Sequence, residues 1–128
     1  MPDRTIHVTK ANAVESLNRL ERLVSSRARW LLVHQRANVT PGRTALPVWH
    51  VVIDDCHTVF NAERVDGDAI RRWAQVASRA RRTGIHFHVS ARNASLEAFG
   101  GAVQLRALLT TAPHRVTLPG DVMLGSGA

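Results

Sequence analysis

Residues 48–55 of the chain, VWHVVIDD, decide its fold. The stretch is a nearly continuous apolar run that ends in two adjacent carboxylates, Asp54 and Asp55. A run of this kind predicts a strand that is buried on both faces, as in a parallel sheet. A second run of the same type, IHFHVSA, occupies residues 85–91 and predicts another such strand.

Apolar residues at helical spacing fill the segments around these strands. From residue 10 to about residue 35 they predict one long amphipathic helix, with Thr9 as its N-cap. A turn at residues 61–67 and a second helix from Asp66 or Asp68 through Arg82 follow, and Gly84 ends that helix. A short helix is predicted near residues 101–109, and β-prone segments stand at residues 4–8 and 115–118.

This order of elements predicts an α/β domain with a mostly parallel sheet of about four strands flanked by helices. The 128 residues, 45% of them hydrophobic, fit one domain and exclude disorder as a global description. We expect the domain to span residues 1–119 and residues 120–128 to form a flexible C-terminal tail.

Cysteine usage and hydropathy exclude several classes of protein. The single Cys56 rules out a disulfide or a multi-thiolate zinc site within one chain. No segment approaches the roughly 20 apolar residues of a membrane span, and the first residues lack the layout of a signal peptide. We therefore expect a soluble, cytoplasmic protein with no transmembrane segment of its own.

The chain is strongly basic, with 17 Lys and Arg against 10 Asp and Glu and a net charge of +7. A surplus of this size indicates nucleic acid, an acidic partner or a coding bias toward arginine, and composition does not separate the three. The arginines cluster at helical spacing that also fits a solvated face, at residues 27 and 29, 71 and 72, and 79, 81 and 82.

The acidic pair carries the strongest chemical signal. In an open parallel sheet, ligands bind at the carboxyl ends of the strands, where Asp54 and Asp55 stand. A Walker B element has this form, because its first Asp holds Mg²⁺ through water and the next acid orients the attacking water. The alternative is that Asp54 or Asp55 only caps the following turn.

A Walker B strand implies a phosphate-binding loop of the form G-x-x-x-x-G-K-[ST], and the chain has none. The only lysine, Lys10, has no glycine before it. Without those backbone N–H groups and the lysine, the β- and γ-phosphates have no recognisable cradle. We therefore do not expect the chain to be an independent ATPase.

Histidines near the two strands suggest a further site. His86 and His88 alternate on one strand and so share a face, and His57 follows the acidic pair. With Asp54 and Asp55 they would make a His/carboxylate metal site, as in a small metal-dependent hydrolase that uses His86, His88 and Asp54. The alternative is that these histidines pack or form hydrogen bonds on the sheet.

The order of these motifs resembles the C-terminal part of a motor domain of the FtsK/SpoIIIE family, in the wider FtsK/HerA group. The segment HVVIDDCHTVF resembles the family's Walker B strand and the turn after it. WAQVASRARRTGIHFHVSAR resembles its G-R-x-x-G-[IL]-H motif and sensor strand, with Arg81, Gly84, Ile85, His86 and Arg92 at matching positions. LRALLTTAPHRVTL resembles its final helix and strand.

Two departures from the family pattern point to a subgroup. Asp54-Asp55 replaces the usual Asp-Glu pair, and Ala91 stands where the sensor has Gln. These features and the final PGDVMLGSG are similar to the degenerate ATPase modules of EccC-type proteins in type VII secretion.

The resemblance assigns roles to four residues. It implies that Asp54 contacts the Mg²⁺ of Mg-ATP through water and is therefore the metal- and cofactor-binding residue. It places Asp55 at the position of the catalytic acid. Arg81 or Arg92 would face the phosphates of a neighbouring subunit, as an arginine finger or sensor.

The resemblance also implies a truncated RecA-like P-loop NTPase fold that lacks the P-loop strand. The family's sheet order is 5-1-4-3-2, so the expected order here is 5-(gap)-4-3-2. Either the last strand closes directly onto IHFHVS, or an exposed edge awaits another chain.

The function implied is that of a partial ATPase module for DNA translocation or transfer, or for type VII secretion coupling, that is inactive alone. Its partners would be a P-loop-bearing chain or a hexameric motor, with double-stranded DNA as cargo and membrane association through a partner. It would use Mg-ATP only if a partner supplies the phosphate loop. The alternative is a non-catalytic basic domain that binds nucleic acid or another protein.

Overall fold

Four parallel strands follow one another across the sheet in the order in which they occur in the chain. The computed structural model describes residues 3–40, 44, 46–62, 67–120 and 122–124. The parallel strands are β1 (Arg4–Val8), β2 (Trp49–Ile53), β3 (Ile85–Ser90) and β4 (Arg115–Leu118). The helices are α1 (Ala13–Val33), α2 (Cys56–Ala62), α3 (Gly67–Ala80) and α4 (Val103–Leu109), with a 3₁₀ turn at Leu96–Phe99. The predicted α/β class with about four parallel strands is confirmed.

The core lies on one face of this sheet. The in-register rows Ile6–Val51–Phe87 and Val8–Ile53–Val89 are buried, as is Val116 of β4. Crossovers between parallel strands are right-handed, and in a sheet of consecutive strands this puts every connecting helix on the same side. Buried residues from all four helices and from the 3₁₀ turn accordingly belong to one core with these strand residues.

The other face of the sheet is not covered by any described element. We call it the open face; it is formed by the alternate strand residues, which are exposed or half-buried: Thr5, His7, His50, Val52, His86, His88, Ser90, Arg115 and Thr117. The prediction of strands buried on both faces is therefore wrong. The histidines in VWHVVI and IHFHVS stand at alternate positions, so each strand has one apolar and one polar face.

The last parallel strand lies directly beside β3, so the first of the two expected arrangements is the observed one. Val89 pairs with Val116 and Ser90 with Thr117. A fifth strand, β5 (Val122–Leu124), runs antiparallel to β4 at the edge of the sheet. This strand lies within the predicted C-terminal tail, of which residues 121 and 125–128 lie outside the described part of the chain.

Helix boundaries differ from the predictions at several points. The helix α1 begins at Ala13, and Thr9 and Asn12 bind each other in the turn ahead of it. The Thr9 N–H donates to Asn12 Oδ1 (2.7 Å), and the Asn12 N–H donates to Thr9 Oγ1 (3.3 Å), which is the reciprocal pair of a capping box. A helix, α2, replaces the start of the turn predicted at residues 61–67, because Cys56, Val59 and Phe60 bury one helical stripe. The candidate cap Asp66 lies outside the described residues. In the described ranges, no helix has the length and hydropathy that a bilayer crossing requires.

Arg27 ties α1 to the amino ends of β2 and β3. Its side chain is 5% exposed and donates to the backbone carbonyls of Thr83 (2.9 Å) and Pro47 (2.5 Å). Burial lowers the pKa of Arg27, but two carbonyl acceptors replace part of its lost hydration. The arginine is therefore a structural anchor, although its spacing in the sequence fits a solvated face.

Gly84 makes this anchor possible. Its φ is +75°, and a Cβ built on it would stand 2.7 Å from Val39 Cγ1 and 3.0 Å from Arg27 Nη1. We expect Gly84→Ala to lower the free energy of unfolding by about 2–4 kcal/mol, from left-handed strain and overpacking together. Chemical denaturation measures this loss.

Gly101→Ala is the matched control for that substitution. Gly101 has nearly the same φ, +79°, and no atom lies within 4 Å of the position that a Cβ would take there. The free energy of unfolding of Gly101→Ala should therefore fall only by the cost of backbone strain, about 1–2 kcal/mol. Equal losses for the two variants would contradict a steric role for the contact of Gly84 with Val39 and Arg27.

His114, just before β4, is a second buried polar anchor. It is 4% exposed, and its Nδ1 accepts a hydrogen bond from the backbone N–H of Phe87 (3.0 Å). Burial, with the nearby His86, His88 and Arg81, lowers the pKa of His114 to about 4. The folded protein therefore keeps this imidazole neutral at pH values where the unfolded chain is protonated.

We expect this difference to make stability fall as the pH falls from about 6.5 to about 4. In that window the unfolded state binds the proton and the folded state does not, which corresponds to about 3 kcal/mol. His114→Asn keeps an acceptor for the Phe87 N–H but does not titrate. Between about pH 6.5 and about pH 4, its free energy of unfolding should therefore fall by about 3 kcal/mol less than that of the wild type. Urea unfolding at a series of pH values measures both proteins, and parallel pH profiles would contradict the assignment.

Candidate functional site

The carboxyl ends of β2, β3 and β4 form an open cleft at one edge of the sheet. Its volume is about 440 Å³, and its polar lining comes from Asp55, Ser90, Arg92 and Thr117. Each of these residues ends a parallel strand or lies close to its end. This is the edge at which open α/β sheets bind ligands.

Asp55 has a left-handed backbone conformation that turns the chain from β2 into α2. Its φ is +52°, a region that Asp enters more readily than most residues. The Asp55 N–H donates to Ser90 Oγ (2.8 Å), and its carbonyl accepts the N–H of Thr58 (3.0 Å). Ser90 belongs to the Ser-Ala-Arg end of the sensor-like strand, but the sequence analysis assigns it no role in the site.

Arg92 binds the side chain of Asp55. Its Nη2 and Nε both donate to Asp55 Oδ2, at 2.8 and 3.2 Å. This hydrogen bond and the charge of Asp55 raise the pKa of Arg92. Two residues to which the resemblance assigns roles, 37 positions apart in the chain, are thus in direct contact.

The second oxygen of Asp55 has no hydrogen bond to a described residue. Asp55 Oδ1 is buried, and so is His57 Nδ1, which lies 3.6 Å away and also lacks a partner within the described ranges. That separation is too long for a hydrogen bond. Buried polar atoms without a hydrogen bond are rare in proteins, so this pair of atoms marks the turn after β2 as unusual.

Asp54 and Arg81 lie outside the cleft that Asp55 and Arg92 line. Asp54 is exposed directly after β2, next to Asp55 but not in the lining of the cleft. Arg81 precedes β3 and therefore lies at the opposite, amino edge of the sheet. There it lines a second cleft of about 480 Å³ with Asn38, His86 and Pro113 among its neighbours. Arg81 does not share a site with Asp55 inside one chain.

The structure does not assemble the predicted metal site. His57 lies beside Asp55, but His86 and His88 lie on the open face, where their neighbour is His50. In the part of the chain that the structure describes, no three His, Cys, Asp or Glu side chains are grouped to hold a metal ion. The geometry therefore does not support a hydrolase centre built from His86, His88 and Asp54.

Cys56 adjoins the acidic pair but takes no part in the cleft. It is fully buried, and its thiol donates to the backbone carbonyl of Ala98 (3.2 Å). Burial and the charge of Asp55 raise the pKa of Cys56 to about 12. The thiolate that nucleophilic chemistry requires is therefore absent near neutral pH.

Several arginines of the predicted basic clusters are bound within the chain. Arg72 donates from Nε to Glu21 (3.0 Å) and from Nη2 to Asn18 (2.6 Å), which joins α3 to α1. Arg71 pairs with Asp68, and Arg27 is the buried anchor. The net charge of +7 already counts Glu21 and Asp68, so these two pairs leave it unchanged, and of the three arginines only Arg27 is buried.

Comparison of the sequence with protein-family models and with curated proteins found no match. The geometry of the site therefore has to carry any functional conclusion.

Proposed function

We propose that the chain is the Walker B- and sensor-bearing part of an FtsK/SpoIIIE-type ATPase assembly, and that another chain supplies the phosphate loop. The assembly would serve DNA translocation or transfer, or type VII secretion coupling. The observation that carries the proposal is the contact of Asp55 with Arg92 at the carboxyl edge, beside the exposed Asp54.

The two carboxylates suit the two tasks of a Walker B pair. Asp54 is exposed and accessible to a water ligand of Mg²⁺. Asp55 is fixed by its backbone bond to Ser90 and by Arg92, and its buried Oδ1 has no partner of its own within the described ranges. Because Oδ1 is buried, Oδ2 is the oxygen that would orient an attacking water once Arg92 releases it.

The pair of Asp55 and Arg92 also supplies a way to sense phosphate. More than a third of each side chain is exposed, and exposed ion pairs contribute little to stability. Phosphate oxygens that enter the cleft would compete for the Arg92 guanidinium, which binds phosphate in a bidentate manner. Arg92 would then leave Asp55, and the carboxylate would become free as the nucleotide binds.

A phosphate loop from another chain can reach this edge without entering the sheet. The cleft opens to solvent between the ends of β2 and β4, and β4 already fills the position beside β3. The expected gap in the sheet is therefore closed, and the partner would approach the strand ends rather than add a strand. Arg81, at the opposite edge, would face a neighbouring subunit in such a ring.

The alternative of a basic nucleic-acid-binding domain depends on charge alone. Arg27 is buried and bound to backbone carbonyls, which removes one arginine from the surface, whereas the ion pairs of Arg71 and Arg72 leave the net charge of +7 unchanged. The contact of Asp55 with Arg92 has no part in it.

The test is an ATPase assay with two proteins, this chain and the phosphate-loop-bearing FtsK/SpoIIIE-type protein of the same genome. We expect this chain alone neither to hydrolyse ATP nor to bind Mg-ATP at about 1 mM in calorimetry, a concentration that still detects weak binding. Added to the partner, it should raise hydrolysis, and Asp54→Asn or Asp55→Asn should remove the increase, because both carboxylates act in the shared site.

Glu15→Gln is the matched control, since it neutralises an exposed carboxylate on α1 away from the cleft lining. It should keep the full increase. Hydrolysis by the chain alone would contradict the proposal, and so would an increase that survives Asp55→Asn.

A further inference from the structure

The C-terminal end of α1 carries two aliphatic side chains that are largely exposed to solvent. Leu32 is 80% exposed and Val33 is 70% exposed. They follow the exposed Arg29 at three and four positions along the helix, so the three side chains share one face of α1. An exposed apolar patch beside polar residues is typical of an interaction surface.

The end of α3 lies beside this part of α1 and adds further arginines. Both helices run from the carboxyl edge of the sheet to its amino edge, because each leads from one parallel strand to the next. Arg79 lines the same surface groove as Ser25 of α1, and the Arg82 carbonyl accepts the N–H of Val39, in the loop after α1 (2.8 Å). The amino-end tip is the name that we give to Arg29, Leu32, Val33, Arg36, Arg79 and Arg82.

The four arginines of the amino-end tip are exposed, and within the described ranges none of them forms an ion pair. Glu21 lines the groove with Arg79, but it is bound to Arg72. Most of the other described carboxylates follow β2 or β3 or begin a helix, which places them toward the carboxyl edge: Glu15, Asp54, Asp55, Asp68 and Glu97. The fold therefore separates the charges, and the amino-end tip is positive.

The combination of charge and apolar side chains selects the partner. Arginines bind the phosphates of nucleic acids and of anionic lipids alike. Leu32 and Val33 distinguish the two, because aliphatic side chains gain free energy at the boundary between headgroups and acyl chains but gain none from a phosphate backbone. Trp30, half-buried at the same helix end, is of a residue type that is enriched at membrane interfaces.

We propose that the amino-end tip binds the surface of an anionic lipid bilayer, with Leu32 and Val33 inserted between the headgroups and the four arginines on lipid phosphates. The binding is weak and reversible, because its strength scales with a small buried apolar area and a few charges. It is independent of the proposed ATPase function, since the cleft of Asp55 and Arg92 lies at the opposite edge of the sheet.

The test is sedimentation of the full chain with vesicles of phosphatidylglycerol and phosphatidylcholine in equal parts, or of phosphatidylcholine alone. We expect binding to the anionic vesicles only, and weaker binding when the salt is raised from about 0.1 M to about 0.5 M. Arg36→Gln and Arg82→Gln should each weaken binding about fivefold. Arg71→Gln, the same charge change at an arginine paired with Asp68, should weaken it by about twofold or less.

A dye that responds to its environment reports the insertion itself. It is attached in Val33→Cys, and Val103→Cys is the matched control because Val33 and Val103 are 70% and 69% exposed. The native Cys56 is fully buried and does not react with the dye. On anionic vesicles, the emission at residue 33 should shift to shorter wavelength and the emission at residue 103 should stay unchanged. Circular dichroism confirms that the variants fold.

Three results would overturn the proposal. The first is an unchanged emission at residue 33 on anionic vesicles. The second is an equal loss of vesicle binding in Arg36→Gln, Arg82→Gln and Arg71→Gln. The third is binding to a double-stranded oligonucleotide that is tighter than vesicle binding and unaffected by the double substitution Leu32→Ser and Val33→Ser, since that result would assign the amino-end tip to nucleic acid.

Discussion

The rest of the structure depends on one constraint, the consecutive order of four parallel strands. Because right-handed crossovers then place every helix on the same side, a single apolar core joins them to one face of the sheet. The same order brings the carboxyl ends of β2, β3 and β4 together at one edge. It also leaves the histidine-bearing face without a covering layer among the described residues, which is unusual for parallel strands.

The two edges of the sheet differ in how firmly they are held. At the amino edge, the buried Arg27 donates hydrogen bonds to the backbone carbonyls that precede β2 and β3, and Gly84 leaves space for its side chain. At the carboxyl edge, Asp55 and Arg92 form an exposed pair beside an open cleft. The amino edge is thus held by a buried contact between elements, whereas the carboxyl edge carries an exposed ion pair that contributes little to stability.

Much of the fold can be predicted from residues 48–55 and 85–91, because apolar runs of strand length specify strands in most tertiary contexts. Asp55 and Arg92 can be placed at one edge for the same reason. The prediction that helices cover both faces of the sheet is wrong. The histidines at alternate positions of β2 and β3 indicate a polar face, and the apolar residues between them indicate only the buried face. The helix α2 is not predicted, because a pattern of seven residues is too short to distinguish a helix from a turn. The partners of Arg27 and of His50 come from other elements, so spacing along the chain gives no sign of them.

The most direct test of the proposed function is a structure of this chain with the phosphate-loop-bearing protein that we propose as its partner, Mg²⁺ and a non-hydrolysable ATP analogue. The account predicts that the γ-phosphate lies at the carboxyl edge, with the Mg²⁺ held through water by Asp54 and the Arg92 guanidinium moved from Asp55 to a phosphate oxygen. A nucleotide bound elsewhere, with the contact of Asp55 and Arg92 unchanged, would contradict it.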